Sequence, residues 1–166
     1  IIPNLVSGNY DVIIAGISIT DERDEVIDFT QNYTQPDPSA YLVTSADADL
    51  KGGVVAAQAN TIQASFIAST GASLIEFATP EETVAAVKNG EADAVLADKA
   101  YLEPIASADG DIMLLEQEEL IGGGVGMGIR ESDGELRETF DAAIQSMKDD
   151  GTLNALIAKW EVGAQF

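Results

Sequence analysis

The sequence contains no cysteine and no histidine. Disulfides, thiol chemistry and most zinc sites are therefore excluded. A Ser-His-Asp triad or an imidazole base is impossible as well, so an enzyme built from this chain would have to work with carboxylates, Lys, Arg, Tyr or hydroxyls. Bases are scarce, with 8 Lys and Arg against 29 Asp and Glu and a formal charge of -21. Phosphate binding needs clustered Lys and Arg, so nucleic acid is not expected as a partner, and docking on an anionic membrane surface is disfavoured on the same ground. Aromatics make up 6% of the chain. Long apolar runs are missing too: Val12–Ile17 and Val54–Ala57 are among the longest, well short of the roughly 20 residues needed to span a bilayer.

What is present fits a soluble globular protein with a real core: 166 residues, 46% of them apolar and 22% charged, enough for one ordinary domain or two small lobes. The acids are spread along the chain, as on a solvated surface. The chain opens on Ile1-Ile2-Pro3, neither an initiator Met nor a signal peptide with a basic leading region. The expectation is that something preceding it has been removed.

Leu5 and the Ser7-Gly8-Asn9 break read as the last turn and stop of a helix. Asp11–Ala15 is short, β-branched and continuous, and reads as a buried strand of a parallel sheet. Gly16–Thr20 is then a loop, and Asp21–Ile27 a short polar helix capped by Thr20. Pro36 and Pro38 mark an extended stretch before a strand at Ala40–Val43, the first candidate for a crossing between lobes. From Leu50 the pattern alternates: strand Val54–Ala57, helix Thr61–Ser69, strand Ser73–Phe77, helix Pro80–Asn89, strand Asp93–Leu96, helix Asp98–Ala106, strand Ile112–Leu115. That spacing predicts βαβ units and a parallel sheet. Gly122–Ile129 reads as a glycine-rich strand and Gly134–Asp149 as a helix with Leu136, Phe140, Ala143, Ile144 and Met147 on its core stripe. A last helix carries Leu153, Leu156, Ile157 and Trp160 at core spacing. Strand Asp11–Ala15 needs neighbours that the surrounding segments do not supply, so one lobe is expected to lack its first strands or to recruit them from another chain.

Four places at expected strand C-terminal ends suggest a site for an anion and an ammonium. Ser18 follows the first strand, and Arg23, whose planar fork matches a carboxylate, lies five residues on. Asn60 and Thr61 open a helix, where backbone N–H groups attract an anion. Asp98 begins a helix beyond a strand end, where open α/β sheets bind ligands. Each has a plainer explanation: Arg23, among Glu22, Asp24 and Glu25, suits a surface salt bridge, while Asn60, Thr61 and Asp98 suit helix caps. The run Gly122–Gly128 lacks the Lys-Ser/Thr of a phosphate loop and enters a strand, so close backbone approach is the better reading. Asp109-Gly110-Asp111 has neither the length nor the closing Glu of a calcium loop. No metal and no cofactor are expected.

These segments together are recognisable. Leu5-Val6-Ser7-Gly8-Asn9-Tyr10-Asp11, the apolar run after it and Ser18-Ile19-Thr20-Asp21-Glu22-Arg23 resemble the "S-I-T-x-x-R" signature of family 3 solute-binding proteins, which serve polar amino acid importers. Val26-Ile27-Asp28-Phe29-Thr30 with Tyr33, Leu50-Lys51-Gly52 with Val54 and Gln58–Thr61, Gly90–Asp98, and Leu153–Trp160 are similar to further motifs of that family in the same order. The chain departs at Ala59 and Asn60, where the family has Gly followed by Ser or Thr, and at Ala15-Gly16, where many relatives carry hydroxyls.

The resemblance implies an α/β fold of the periplasmic-binding-protein-like type II, with central mixed or parallel sheets. Lobe one would span 1–42 plus 120–166, incomplete because members carry a further segment ahead of this point; lobe two would span 43–119. It implies that a free amino acid is held in the cleft between the lobes and handed to the membrane permease of an ABC importer, in the periplasm. Arg23 would grip the α-carboxylate with help from Ser18, Asn60 and Thr61, and Asp98 and the Gly16 carbonyl would take the α-ammonium. Two other functions stay open: a periplasmic dehydratase of prephenate or arogenate type, for which a carboxylate such as Glu103 would serve as the acid, and the ligand-sensing domain of a receptor. Association through the incomplete lobe is also expected.

Overall fold

The computed structural model describes all residues from 1 to 166. In chain order the elements are α1 (Ile2–Val6), α2 (Asp21–Asp24), β1 (Asp28–Phe29), β2 (Ser39–Val43), β3 (Val54–Gln58), α3 (Ile62–Ala68), β4 (Ser73–Phe77), α4 (Pro80–Lys88), β5 (Ala94–Asp98), α5 (Lys99–Ala108), β6 (Met113–Glu119), β7 (Gly128–Ile129), α6 (Gly134–Asp149) and α7 (Thr152–Trp160). They fall into two compact units, Ile1–Pro36 with Gly122–Phe166 and Asp37–Ile121. The boundaries therefore lie at 36/37 and 121/122 rather than at 42/43 and 119/120. The reason is β2, every residue of which pairs with β5, so it belongs wholly to the second unit.

The second unit is a five-stranded sheet in the order β4-β3-β5-β2-β6. Strand-helix alternation alone predicts a parallel sheet; the sheet is mixed, one of the two forms that the family resemblance implies. Strands β4, β3 and β5 run parallel, whereas β2 lies antiparallel between β5 and β6. Helices cover both faces, which is why the strands read as unbroken apolar runs. Alternation sorts their side chains: Ala40, Leu42, Ala56 and Val95 join Val84, Val87 and Leu102 in one core, and Tyr41, Val43, Val55, Ala57, Ala94 and Leu96 join Ala64 and Ile67 in the other. Helix α4 begins with a complete capping box, Glu82 N–H donating to the Thr79 hydroxyl and the Glu82 carboxylate accepting from Thr79 N–H, with Pro80 in its first turn. This start satisfies two backbone donors that would otherwise be orphaned.

The first unit departs further from expectation. Asp11–Ala15 is not a parallel strand. Ile13 alone exchanges two bonds with Gly128, donating at 2.9 Å and accepting at 3.0 Å, in an antiparallel bridge. Ile13 is 1% exposed and Ile14 60% exposed, as in a one-sided ribbon. The glycine-rich stretch runs down the middle of that ribbon. It bonds residues 13–19 on one side and Thr30 and Tyr33 on the other, although only Gly128–Ile129 forms a ladder, with β1. Close approach is indeed why glycine stands there. At Gly124 the backbone is left-handed (φ +88°) and a Cβ would lie 2.4 Å from the Thr34 carbonyl oxygen. At Gly128 a Cβ would press on Ile13 and Ile27.

Helix α2 stops at Asp24 instead of reaching Ile27, because Ile27 turns into a core with Leu5, Ile13, Ile17 and Phe29. The second core of this unit is small: Ile144, Leu153 and Ile157, flanked by Tyr33, Met127 and Met147. The expected stripes are accordingly narrower. Ala143 is exposed, as are Leu156 at 40% and Trp160 at 66%. Leu153 and Ile157, one turn apart, account for the packing of α7.

Candidate functional site

The six residues expected to form a site divide between the two units. Gly16, Ser18 and Arg23 lie in the first. The Ile17 N–H bonds back to the Ala15 carbonyl, which puts Gly16 at the apex of a tight three-residue turn. Ser18 is bridged to Val125. Thr20 caps α2, its hydroxyl accepting from Arg23 N–H at 3.2 Å. The half-buried Arg23 side chain folds back over this loop, and Nη1 donates to the Ser18 carbonyl oxygen at 2.8 Å. Ser18 thus meets Arg23 through its backbone; the expected shared use of its hydroxyl is not part of this contact. Burial pushes the Arg23 pKa down, and the neighbouring Glu22 opposes that shift. A guanidinium remains charged under either influence.

In the second unit Asn60, Thr61 and Asp98 occupy the ends of β3 and β5 and the start of α3. Asn60 adopts a left-handed conformation, φ 63°, which Asn tolerates better than most residues. Thr61 does cap α3, accepting from Ala64 N–H at 3.2 Å, and its hydroxyl proton goes to the Gln58 carbonyl at 2.7 Å. With that proton committed, what Thr61 can offer an anion is its backbone N–H rather than its hydroxyl.

Asp98 behaves differently. It stands at the cap position of α5, yet its side chain makes no capping bond. Its Oδ1 accepts instead from Gln63 Nε2 at 2.7 Å. Gln63 also donates to the Ser39 hydroxyl at 3.0 Å, and both Gln63 and Ser39 are buried. Although Asp98 exposes part of its surface, protein packed around its carboxyl raises its pKa, and the Gln63 bond pulls the other way.

Thr61 and Asp98 share a cavity of about 230 Å³ with Gln58, Gln63, Thr83, Leu96 and Tyr101. Whole small-molecule sites run to ~300–1,000 Å³, so this space suits part of a ligand. Asp98 is its one carboxylate, the lining group whose charged form can pair with a cation. Gln63 and Ser39 escaped the sequence reading. The available signal was a polar residue four positions before Ile67 on the apolar face of α3, a place where an unpartnered amide would be costly.

The family model of bacterial extracellular solute-binding proteins, family 3, matches residues 1–163. The histidine-binding periplasmic protein of Salmonella typhimurium is 28% identical over 181 residues, covering 96% of this chain and 68% of that protein. A crystal structure of a periplasmic His/Glu/Gln/Arg/opine family-binding protein from Silicibacter pomeroyi in complex with lysine is 66% identical, with a TM-score of 0.92 over 99% of this chain and 77% of that one. An ancestral arginine-binding protein bound to arginine is 29% identical, with a TM-score of 0.84 over 96% of this chain and 75% of that one.

Proposed function

The chain belongs to the bacterial extracellular solute-binding proteins, family 3, and from that premise we propose that it binds a free basic amino acid, lysine foremost, outside the cytoplasm and passes it to the permease of an ABC importer without altering it chemically. The observation that carries this reading is Asp98, the single carboxylate in its cavity, held by a buried amide instead of capping its own helix. Such a group is matched to an ammonium. Arg23, seated on the Ser18 carbonyl, is matched to a carboxylate. A zwitterionic amino acid carries one charge suited to each group.

The choice of lysine is supported by the lysine complex at 66% identity and by the arginine-bound relative. The surplus of 21 negative charges favours encounter with cationic solutes over anionic ones. In this scheme the Gly16 carbonyl and the N–H groups of Asn60 and Thr61 complete the contacts to the ligand backbone. A thermal-shift screen of free amino acids tests it, because a ligand that binds only the native state raises the melting temperature. Lysine and arginine should raise it and aspartate should not; a response to none of the basic amino acids would refute the proposal.

A further inference from the structure

We propose that Gln63 is the positioning residue for Asp98: its buried amide ties the Asp98 carboxylate to Ser39 and so orients the oxygen that receives the ligand ammonium. The inference rests on the functional reading above, and its geometry lies wholly within the second unit. Ser39 and Asp98 stand directly opposite each other in the β2–β5 register. Gln63 reaches both from the first turn of α3, at 3.0 Å and 2.7 Å. A carboxylate can only accept, so the amide nitrogen must face it, which fixes the orientation of the Gln63 side chain. A primary amide has two N–H donors, and each is used here. With Gln63 5% exposed and Ser39 fully buried, an unpaired donor would be expensive, so the three side chains hold one another in a single arrangement.

The bond also biases protonation. Burial favours the neutral form of Asp98, and the Gln63 amide favours the charged one. The other charges nearby are Asp37, whose own pKa is raised first by burial and further by Asp98, and Lys99 and Glu103 of α5, which act on Asp37. Tyr101 shares the cavity. Among these groups Gln63 is the one that donates directly to the Asp98 carboxylate.

The test follows the Asp98 carboxyl carbon by NMR titration of the ligand-free chain, alongside lysine affinity as a function of pH. Gln63→Met keeps the length and removes both donors; Gln63→Glu replaces a donor with a like charge. The Asp98 titration should move to higher pH in Gln63→Met and higher still in Gln63→Glu. Lysine affinity at neutral pH should fall about tenfold or more, the loss of one charge-assisted hydrogen bond, and the deficit should widen as pH falls. An unmoved Asp98 titration in a folded Gln63→Met protein overturns the proposal. Should both variants fail to fold, Ser39→Ala carries the test: a smaller shift in the same direction is expected, and no shift overturns it. If the Asp98 titration moves but the wild-type chain binds no amino acid, the functional reading falls and the positioning role stands. If lysine binds and the titration stays, the reverse holds.

Discussion

The Arg23 guanidinium donates to the carbonyl oxygen of Ser18 at 2.8 Å, while the Arg23 backbone N–H bonds the Thr20 hydroxyl at 3.2 Å. The same loop therefore holds both ends of one residue. In the side-chain contact the planar head donates to a neutral acceptor. Glu22, Asp24 and Glu25 are its sequence neighbours, and Glu22 acts on its charge.

Arg23→Ala should cost more than about 3 kcal/mol of lysine binding, the scale for removing one partner of a largely desolvated ion pair, which is over a hundredfold in Kd. Arg23→Lys should recover only part of that, because an ammonium cannot make two parallel bonds to a carboxylate. Calorimetric titration measures both. Wild-type affinity in Arg23→Ala would remove this residue from the site.

Asp98→Asn should separate stability from binding. The folded-state pKa of Asp98 is raised, so the folded chain holds this proton more tightly than the unfolded one. The contribution to stability is fully present below the unfolded value of about 3.9 and is lost as pH rises through the higher folded pKa. At neutral pH the charged carboxylate is thus a burden, and Asn, which can still accept from Gln63, should melt at or above the wild-type temperature. The difference should shrink on acidification and vanish only below about pH 4, while lysine affinity is lost at every pH. Melting curves across this range check it.

Much of this was legible in advance. The N-cap signals at Thr20 and Thr61 are local and proved sufficient, because a cap depends on residues within one turn. The strands of the second unit were legible because helices bury both their faces. Pairing direction was not: nothing in the Ser39–Val43 run says that it lies antiparallel between β5 and β6. The residues expected at the site were found at loops and element ends, but their bonding was not foreseen. Thr61 and Asp98 carry the same sequence signal, and one caps its helix while the other turns to Gln63, a difference set by a side chain on another element.

Helix α7 shows the limit of periodicity, and its predictions follow. Leu153→Ala or Ile157→Ala should cost ~2–5 kcal/mol, as for buried large-to-small changes. Leu156→Ala and Trp160→Ser should stay within about 1 kcal/mol, since both side chains are substantially exposed. Urea titrations distinguish the pairs, and equal costs would restore the wider core stripe.

Gly124→Ala should be among the most damaging single substitutions in the first unit. It combines a left-handed backbone with a Cβ placed 2.4 Å from a carbonyl oxygen, so a loss of more than ~1 kcal/mol is expected. In contrast, Gly134→Ala, where no atom lies within 4 Å of the added Cβ, should be neutral or stabilising at the start of α6. Comparative denaturation of the two variants decides this.

The most direct test cuts the ligand rather than the protein. Cadaverine is lysine without its α-carboxylate, and ε-aminocaproate is lysine without its α-ammonium. Calorimetric titration of the wild-type chain should show binding of L-lysine and a loss of at least about a hundredfold for each truncated molecule, on the ion-pair scale above. Either one binding as tightly as lysine would contradict a site in which Arg23 and Asp98 neutralise the two ends of a zwitterion.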